Sequence, residues 1–392
     1  MKKKRELGIY IHIPFCVKKC NYCDFLSFPA EDGIREQYVR QLVREIRFFP
    51  ESSLPDCDAP QGTWDVVSIF IGGGTPSVLT TDQIFRILAA VYDTFEVRGG
   101  AEVTMECNPG THTDYSGLYG SGVNRLSFGI QSADNEQLRL LGRIHTWEEA
   151  EASVRLAREA GFPNISADLI FSLPGQTVSS WEKTLEKAVG LETEHLSAYS
   201  LMIEEGTVFY PLYHEEDEKR SSGEKTVLLP DEEEERTMYE ITGEILREAG
   251  MRQYEISNYA REGFESVHNT GYWIRRDYAG FGLGASSLLH SIRYRKTMNM
   301  KDYLEGDTGF HTEQVLRPED EMSETMFLGL RMNEGIDENA FYERFQKRVD
   351  EIFPDIPDRM VRQGLLQRSG GRIYLTDRGR NLSNYVFAQF LL

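Results

Sequence analysis

Along residues 8–249 six short apolar runs are interspersed with six amphipathic stretches, and this pattern most constrains the fold. The apolar runs predict strands over 8–14, 66–71, 102–106, 125–130, 166–171 and 196–202. The amphipathic stretches predict helices over 34–49, 81–95, 135–141, 146–160, 179–191 and 232–249. Strand-then-helix units pair their strands in parallel through right-handed crossovers. A closed barrel of this kind has eight units, so six fit an α/β fold with an incomplete, curved (β/α)6 barrel. Chemistry in such folds gathers at the C-terminal ends of the strands. There the chain carries three cysteines after the first strand, a glycine run after the second, Glu106 after the third and Gln131 after the fourth.

The cysteines are Cys16, Cys20 and Cys23, spaced Cys-x3-Cys-x2-Cys with Tyr22 just before the last. A cubane iron–sulfur cluster with full protein ligation takes four thiolates. Three leave one iron open, and a small molecule that coordinates it can receive an electron. Structural zinc is the competing reading, with His12 as a fourth ligand, but no second Cys pair follows at zinc-ribbon spacing. The ligand count favours the cluster. Cys57 and Cys107 read as plain thiols, and clustered rather than scattered cysteines point to ligation in a reducing compartment, the cytoplasm.

Net charge is −20, which opposes binding to nucleic acid or to an anionic membrane surface. Part of it lies in Glu215-Glu-Asp-Glu and Asp231-Glu-Glu-Glu-Glu235, expected as a solvated loop and an acid-rich helix start. No apolar run approaches the ~20 residues of a membrane helix. From about Thr312 the pattern changes to helices over 322–331, 338–348 and 360–366 and a hairpin turning at Gly370-Gly371. The expected division is residues 1–311 and 312–392, the second a small winged-helix-like α+β domain. Residues 311–392 carry 11 Lys and Arg against 14 Asp and Glu, so a lid or docking role suits this domain better than reading DNA.

The cysteine spacing resembles that of radical S-adenosylmethionine (SAM) proteins, whose partial barrel matches the strand count. The Gly72-Gly73-Gly74-Thr75-Pro76 loop, Glu106-Cys-Asn-Pro109, Gly129-Ile-Gln131, Arg143 and Asp168-Leu-Ile-Phe-Ser-Leu-Pro-Gly-Gln-Thr177 narrow the resemblance. In type and order they are similar to the oxygen-independent coproporphyrinogen III oxidase superfamily. That resemblance implies a [4Fe–4S] cluster on Cys16, Cys20 and Cys23, and two SAM molecules. Tyr10, Gly73 and Glu106 would lie near the first SAM, and Tyr22, Gly74, Thr75, Gln131, Arg143 and Asp168 near the second. The residue types suit this: carboxylates and an amide bind ribose hydroxyls, an arginine a carboxylate, an aromatic ring an adenine face.

Two features separate the chain from the oxidases. Their motif continues to a further cysteine where Phe25 stands here, and their long N-terminal extension contrasts with the 15 residues before Cys16. Conversely, His268-Asn269-Thr-Gly-Tyr272-Trp273 resembles the motif of HemW-type heme chaperones. It implies heme bound through His268, Asn269, Tyr272 and Trp273, since histidine ligates heme iron and aromatic rings cover a porphyrin. The function expected is receipt of heme and its transfer to apo-hemoproteins such as respiratory cytochromes, with membrane contact only through such partners. A reductant would serve the cluster, and SAM would act in a conformational or dimerisation switch, for instance of a homodimer. The alternative is oxidative decarboxylation of coproporphyrinogen III, or radical chemistry on another tetrapyrrole.

Overall fold

A computed structural model describes residues 4–49, 54–56, 64–112 and 114–392; Cys57 lies outside them. Strands β1 (Arg5–Ile13), β2 (Trp64–Gly73), β3 (Val97–Cys107), β4 (Arg125–Gln131), β5 (Ile165–Phe171) and β6 (His195–Ser200) lie side by side in chain order. All five pairings are parallel. The six expected strands are therefore present, each within a few residues of its predicted limits. The connecting helices run over Asp32–Phe48, Thr81–Thr94, Trp147–Glu159 and Val178–Val189, with shorter ones at Tyr115–Gly120 and Asn135–Leu140. Local chemistry sets their starts: Thr80 with Gln83, Thr146 with Glu149 and Thr177 with Ser180 close reciprocal N-terminal hydrogen bonds.

Strand alternation divides the sheet into two unlike faces. Leu7, Ile9, Ile11 and Ile13 of β1 join Leu126, Phe128 and Ile130 of β4 in one apolar core with Val39, Leu42 and Ile46 of the first helix. Full burial of each such side chain contributes about 1.5–3 kcal/mol. The opposite face carries Tyr10 and His12, Ser68, Glu102, Thr104 and Glu106, Arg125 and Ser127, Ser166 and Asp168, and His195 and Ser197. The barrel is thus apolar against its helices and polar inside.

The sheet extends beyond the expected six strands. Among the described residues it comprises 12 strands. Antiparallel β7 (Arg252–Glu255) and β8 (Asn258–Ala260) add to the β6 edge. A seventh parallel strand, β9 (Asp277–Phe281), pairs with β1, followed by antiparallel β10 (Ser286–Leu289), β11 (Ile292–Arg295) and β12 (His311–Val315). These runs are three to five residues long and lack the periodicity that marks longer strands.

Beyond β12 a separate apolar core gathers Met322, Met326, Phe341, Met360, Ile373, Val386 and Phe390. Its three-stranded sheet runs β13 (Ile336–Asp337), β15 (Arg372–Leu375), β14 (Leu366–Ser369), with the hairpin turn at Gly370-Gly371 as expected. The helices differ in extent. The expected 338–348 helix stops at Phe345, where Gln346 turns left-handed (φ 53°), and a short helix Val349–Ile352 follows. The expected 360–366 helix is Ile356–Arg362, started by Pro357 and ended before Gly364 (φ +70°). A further correction concerns Glu215–Glu218, which lie in a helix (Tyr210–Ser221) rather than a solvated loop. Glu216 is buried there and accepts the amides of Val227 and Leu228. No helix among the described residues is long and apolar enough to cross a membrane.

Candidate functional site

The cysteine loop leaves the end of β1 and is stitched to its neighbours by backbone bonds. Cys16 N–H donates to Phe28 O and Phe28 N–H to Pro14 O, closing the loop on itself. Gly74 and Thr75 donate to Ile13 O and Phe15 O, holding the glycine loop of β2 against it. Glycine is required here: Gly73 has φ +112°, and a Cβ on Gly74 would lie 2.7 Å from Phe15 O. Two of the three sulfurs accept a hydrogen bond. Thr75 Oγ1 reaches Cys16 Sγ at 3.3 Å, Arg143 Nη1 reaches Cys20 Sγ at 3.5 Å, and the Phe25 amide points to Cys23. Donors aimed at sulfur suit thiolates that carry an iron–sulfur cluster. Burial, only partly offset by the Phe25 amide, raises the Cys23 thiol in the free protein.

The fourth-ligand position for zinc finds no donor in His12, whose Nδ1 meets Tyr10 OH at 2.9 Å and Nε2 meets Leu26 O at 3.0 Å. Cys107 is buried in the apolar core, and burial raises its thiol. Phe25, where the oxidases carry a further cysteine, is 60% exposed.

The structure brings the expected nucleoside residues onto one polar wall above the loop. Arg143 Nη2 donates to Asn108 Oδ1 (2.7 Å) and Gly129 O (2.6 Å), and Asn108 Nδ2 donates to Thr75 Oγ1 (3.0 Å). Asn108, present in the Glu106-Cys-Asn-Pro motif but given no role from sequence, is therefore the link between the arginine and the glycine loop. Tyr22 packs beside Arg143 against Leu141, Ile170 and Phe209. Glu106 accepts the Gly73 amide at 2.9 Å. Burial first, then the charge of Asp168, pushes its carboxyl up to about 7 despite that amide. Asp168 accepts from Ser127 (2.8 Å), Ser197 (2.7 Å) and Ser166 (3.2 Å), yet burial still raises its carboxyl. These serines leave no signal in a single sequence. Gln131 ends β4 with φ 71°, a conformation a non-glycine residue holds only where its surroundings impose it.

The His-Asn-x-x-Tyr-Trp segment is a short helix, Val267–Trp273, and it lies against the other end of the strands. Glu102 of β3 accepts the amides of Val267 and His268, both at 3.0 Å. His268 is 3% exposed, with Nδ1 on Ser68 Oγ and Nε2 on Tyr272 OH, both 2.9 Å. Its ring stacks on Phe70, which stacks in turn on Tyr10. Burial, then the charges of Arg276 and Arg125, lowers its pKa to about 3. In this conformation neither ring nitrogen is open to iron, so the axial donor expected from sequence is a seated interior residue. Trp273 lies under Arg331 of the C-terminal region (4.3 Å from guanidinium to ring), and the preceding Asn269 amide is taken by Ser266 Oγ.

Comparison with known proteins places these features in a lineage. Residues 10–188 match the radical SAM superfamily and residues 316–382 the HemN C-terminal domain. The chain is 36% identical over 393 residues to heme chaperone HemW of Bacillus subtilis, covering 97% of this chain and 98% of that one. It is 32% identical over 402 residues to heme chaperone HemW of Escherichia coli, covering both in full. It is 32% identical over 395 residues to radical S-adenosyl methionine domain-containing protein 1, mitochondrial, of Danio rerio, covering 96% and 84%. In fold it is similar to coproporphyrinogen III oxidase (HemN) of Escherichia coli, with a TM-score of 0.82 over 99% of this chain and 90% of that one at 24% identity. The chain belongs to the HemW family of the radical SAM superfamily, whose membership implies a [4Fe–4S] cluster and SAM.

Proposed function

We propose that this protein is a heme chaperone that takes up heme and passes it to apo-hemoproteins in the cytoplasm. The observation that carries this is end-to-end similarity to proteins named heme chaperone at 31–36% identity. Likeness to the oxidase, at 24%, speaks for fold alone. Phe25 in place of a further cysteine agrees.

In this reading Cys16, Cys20 and Cys23 hold the cluster, whose chemistry is to supply an electron to bound SAM. Thr75 and Arg143 hold the sulfurs as thiolates, Arg143 with Asn108 fixes the rim of the pocket, and Glu106, Gln131 and Asp168 accept ribose hydroxyls. Tyr10 lines the first SAM position beside Gly73, and Tyr22 the second beside Gly74. Heme binds through the segment of His268, Asn269, Tyr272 and Trp273. For His268 to reach iron, its bonds to Ser68 and Tyr272 must break and the helix must move off the strands. Uptake is thus coupled to an opening of this helix.

The test is a heme titration of the anaerobically reconstituted protein, followed by transfer to an apo-cytochrome, with a parallel incubation with SAM, reductant and coproporphyrinogen III. Soret growth that saturates, with transfer and no release of carbon dioxide, is the expected result. Stoichiometric carbon dioxide would make the protein an oxidase instead.

A further inference from the structure

Past the helix Pro318–Gly329 the C-terminal region is fixed to β7 of the barrel. Met332 pairs with Glu255 in an antiparallel bridge, and Asn333 donates its amide to Tyr254 O (2.9 Å) and its Nδ2 to Gln253 O (2.6 Å). Arg331, one residue earlier, lays its guanidinium over the Trp273 ring at 4.3 Å. That ring ends the His268–Trp273 segment assigned to heme above.

The other arginines at this junction are engaged. Arg275 meets Glu324 at 2.8 Å and Glu321 at 3.1 Å, Arg293 meets Glu324 at 2.6 Å, and Arg344 meets Glu321 at 3.0 Å. Arg331 differs. Among the described residues its guanidinium enters no hydrogen bond, and its Nε is buried without a partner. Its ion pair there is with Glu255, Nη2 to Oε2, at 3.8 Å, which is too long for a hydrogen bond. Glu255 is fully buried, and its other oxygen is taken by the Ser257 amide and by Asn258 Nδ2. It balances the charge of Arg331 from the buried side and leaves the fork of donors unfilled. The Arg331 side chain keeps 27% of its surface exposed, so an anion can reach it from solvent.

We propose that Arg331 is a carboxylate-binding residue of the heme site, taking a propionate of the porphyrin on the exposed edge of its guanidinium while Trp273 supports the plane. This rests on the heme reading above. A planar fork of N–H donors matches a carboxylate at two points, and a guanidinium already held on an aromatic ring loses little freedom on pairing. Heme has a broad apolar face and two propionates at one rim, and an arginine stacked on a tryptophan offers a partner to each. The local cation also matters because the chain carries a net charge of −20, which opposes an anionic ligand.

The experiment titrates heme and heme dimethyl ester, in the same dilute detergent, into anaerobically reconstituted wild type, Arg331→Gln and Arg331→Lys, with affinity read from the Soret band. One charge-assisted pair contributes about a factor of ten in affinity. Wild type should prefer heme over the ester by about tenfold, and Arg331→Gln should lose about tenfold of that preference, the signature of a direct pair. Arg331→Lys keeps the charge without the fork and should lose about threefold. Equal binding of heme and ester by wild type, or an equal preference in wild type and Arg331→Gln, overturns the proposal and leaves the heme reading standing. If Arg331→Gln fails to fold, Arg331→Lys decides: a preference equal to that of wild type overturns the proposal. Failure of wild type to saturate with either porphyrin overturns the heme reading itself, and this proposal with it.

Discussion

Removing the partners of His268, rather than His268 itself, should strengthen heme binding. In the closed form the ring is held by two neutral hydrogen bonds of 2.9 Å, to Ser68 Oγ and Tyr272 OH. Each contributes about 1 kcal/mol net, and leaving a buried ring nitrogen unpaired costs at least as much. Ser68→Ala and Tyr272→Phe keep the imidazole and the aromatic ring but destabilise the closed form by roughly that amount. Apparent affinity rises in proportion to the fraction of molecules that are open. Each variant should therefore bind heme about fivefold more tightly, and the double variant about thirtyfold, since 1.4 kcal/mol is a factor of ten. His268→Ala should do the reverse, weakening binding and shifting the Soret band while the cluster survives. The assay is a Soret titration of anaerobically reconstituted protein, with stopped-flow mixing to show whether the association rate carries the gain. The reasoning is refuted if Ser68→Ala and Tyr272→Phe lower thermal stability but leave heme affinity unchanged or reduced. His268 would then be a core residue, and heme would bind elsewhere.

Alanine at Cys16, Cys20 or Cys23 should each abolish the brown absorbance and the reduced-cluster EPR signal, whereas Cys107→Ala should keep both; equal loss with Cys107 would require a four-thiolate site. Glu106 is raised from 4.5 to about 7, so the folded state binds the extra proton and stability falls as pH rises between those values. Glu106→Gln should therefore stabilise the SAM-free protein, by up to roughly 3 kcal/mol at pH 7 and by little below pH 4.5. Equal denaturant midpoints at pH 5 and pH 7 for wild type and variant would contradict that assignment.

The strand–helix alternation was legible because long elements carry their own periodicity and their own end signals, such as Thr80 with Gln83 and Thr146 with Glu149. The flanking strands β7 to β12 were not, because each is short and owes its place to a neighbouring strand. Site residues were legible where the backbone itself is constrained. Three thiols on one loop, and glycines that must pass within contact of Phe15 O, announce their chemistry locally. Asn108, and Ser127 and Ser197 beside Asp168, did not, because each acts on a residue far away in sequence: Arg143 is 35 positions from Asn108, and Asp168 is 41 from Ser127 and 29 from Ser197.

His268 shows the same limit from the opposite side. Its motif names a chemistry, a histidine beside aromatic rings, and says nothing of where the other strands place it. Gly8 decides that. Its inward position on β1 lacks a side chain, and a Cβ there would come within 3.3 Å of the His268 ring. Ser68 on β2 then meets Nδ1, and Glu102 on β3 caps the helix that carries the residue. Three consecutive strands thus supply, at one level of the barrel, a space, a hydrogen bond and an N-terminal cap for the same short helix. The C-terminal region adds Arg331 over Trp273 and the ion pairs of Glu321 and Glu324 with Arg275. Any movement that frees His268 must therefore disturb the contact between the barrel and the C-terminal core. If heme is loaded through this helix, the C-terminal region is the part of the molecule that must give way.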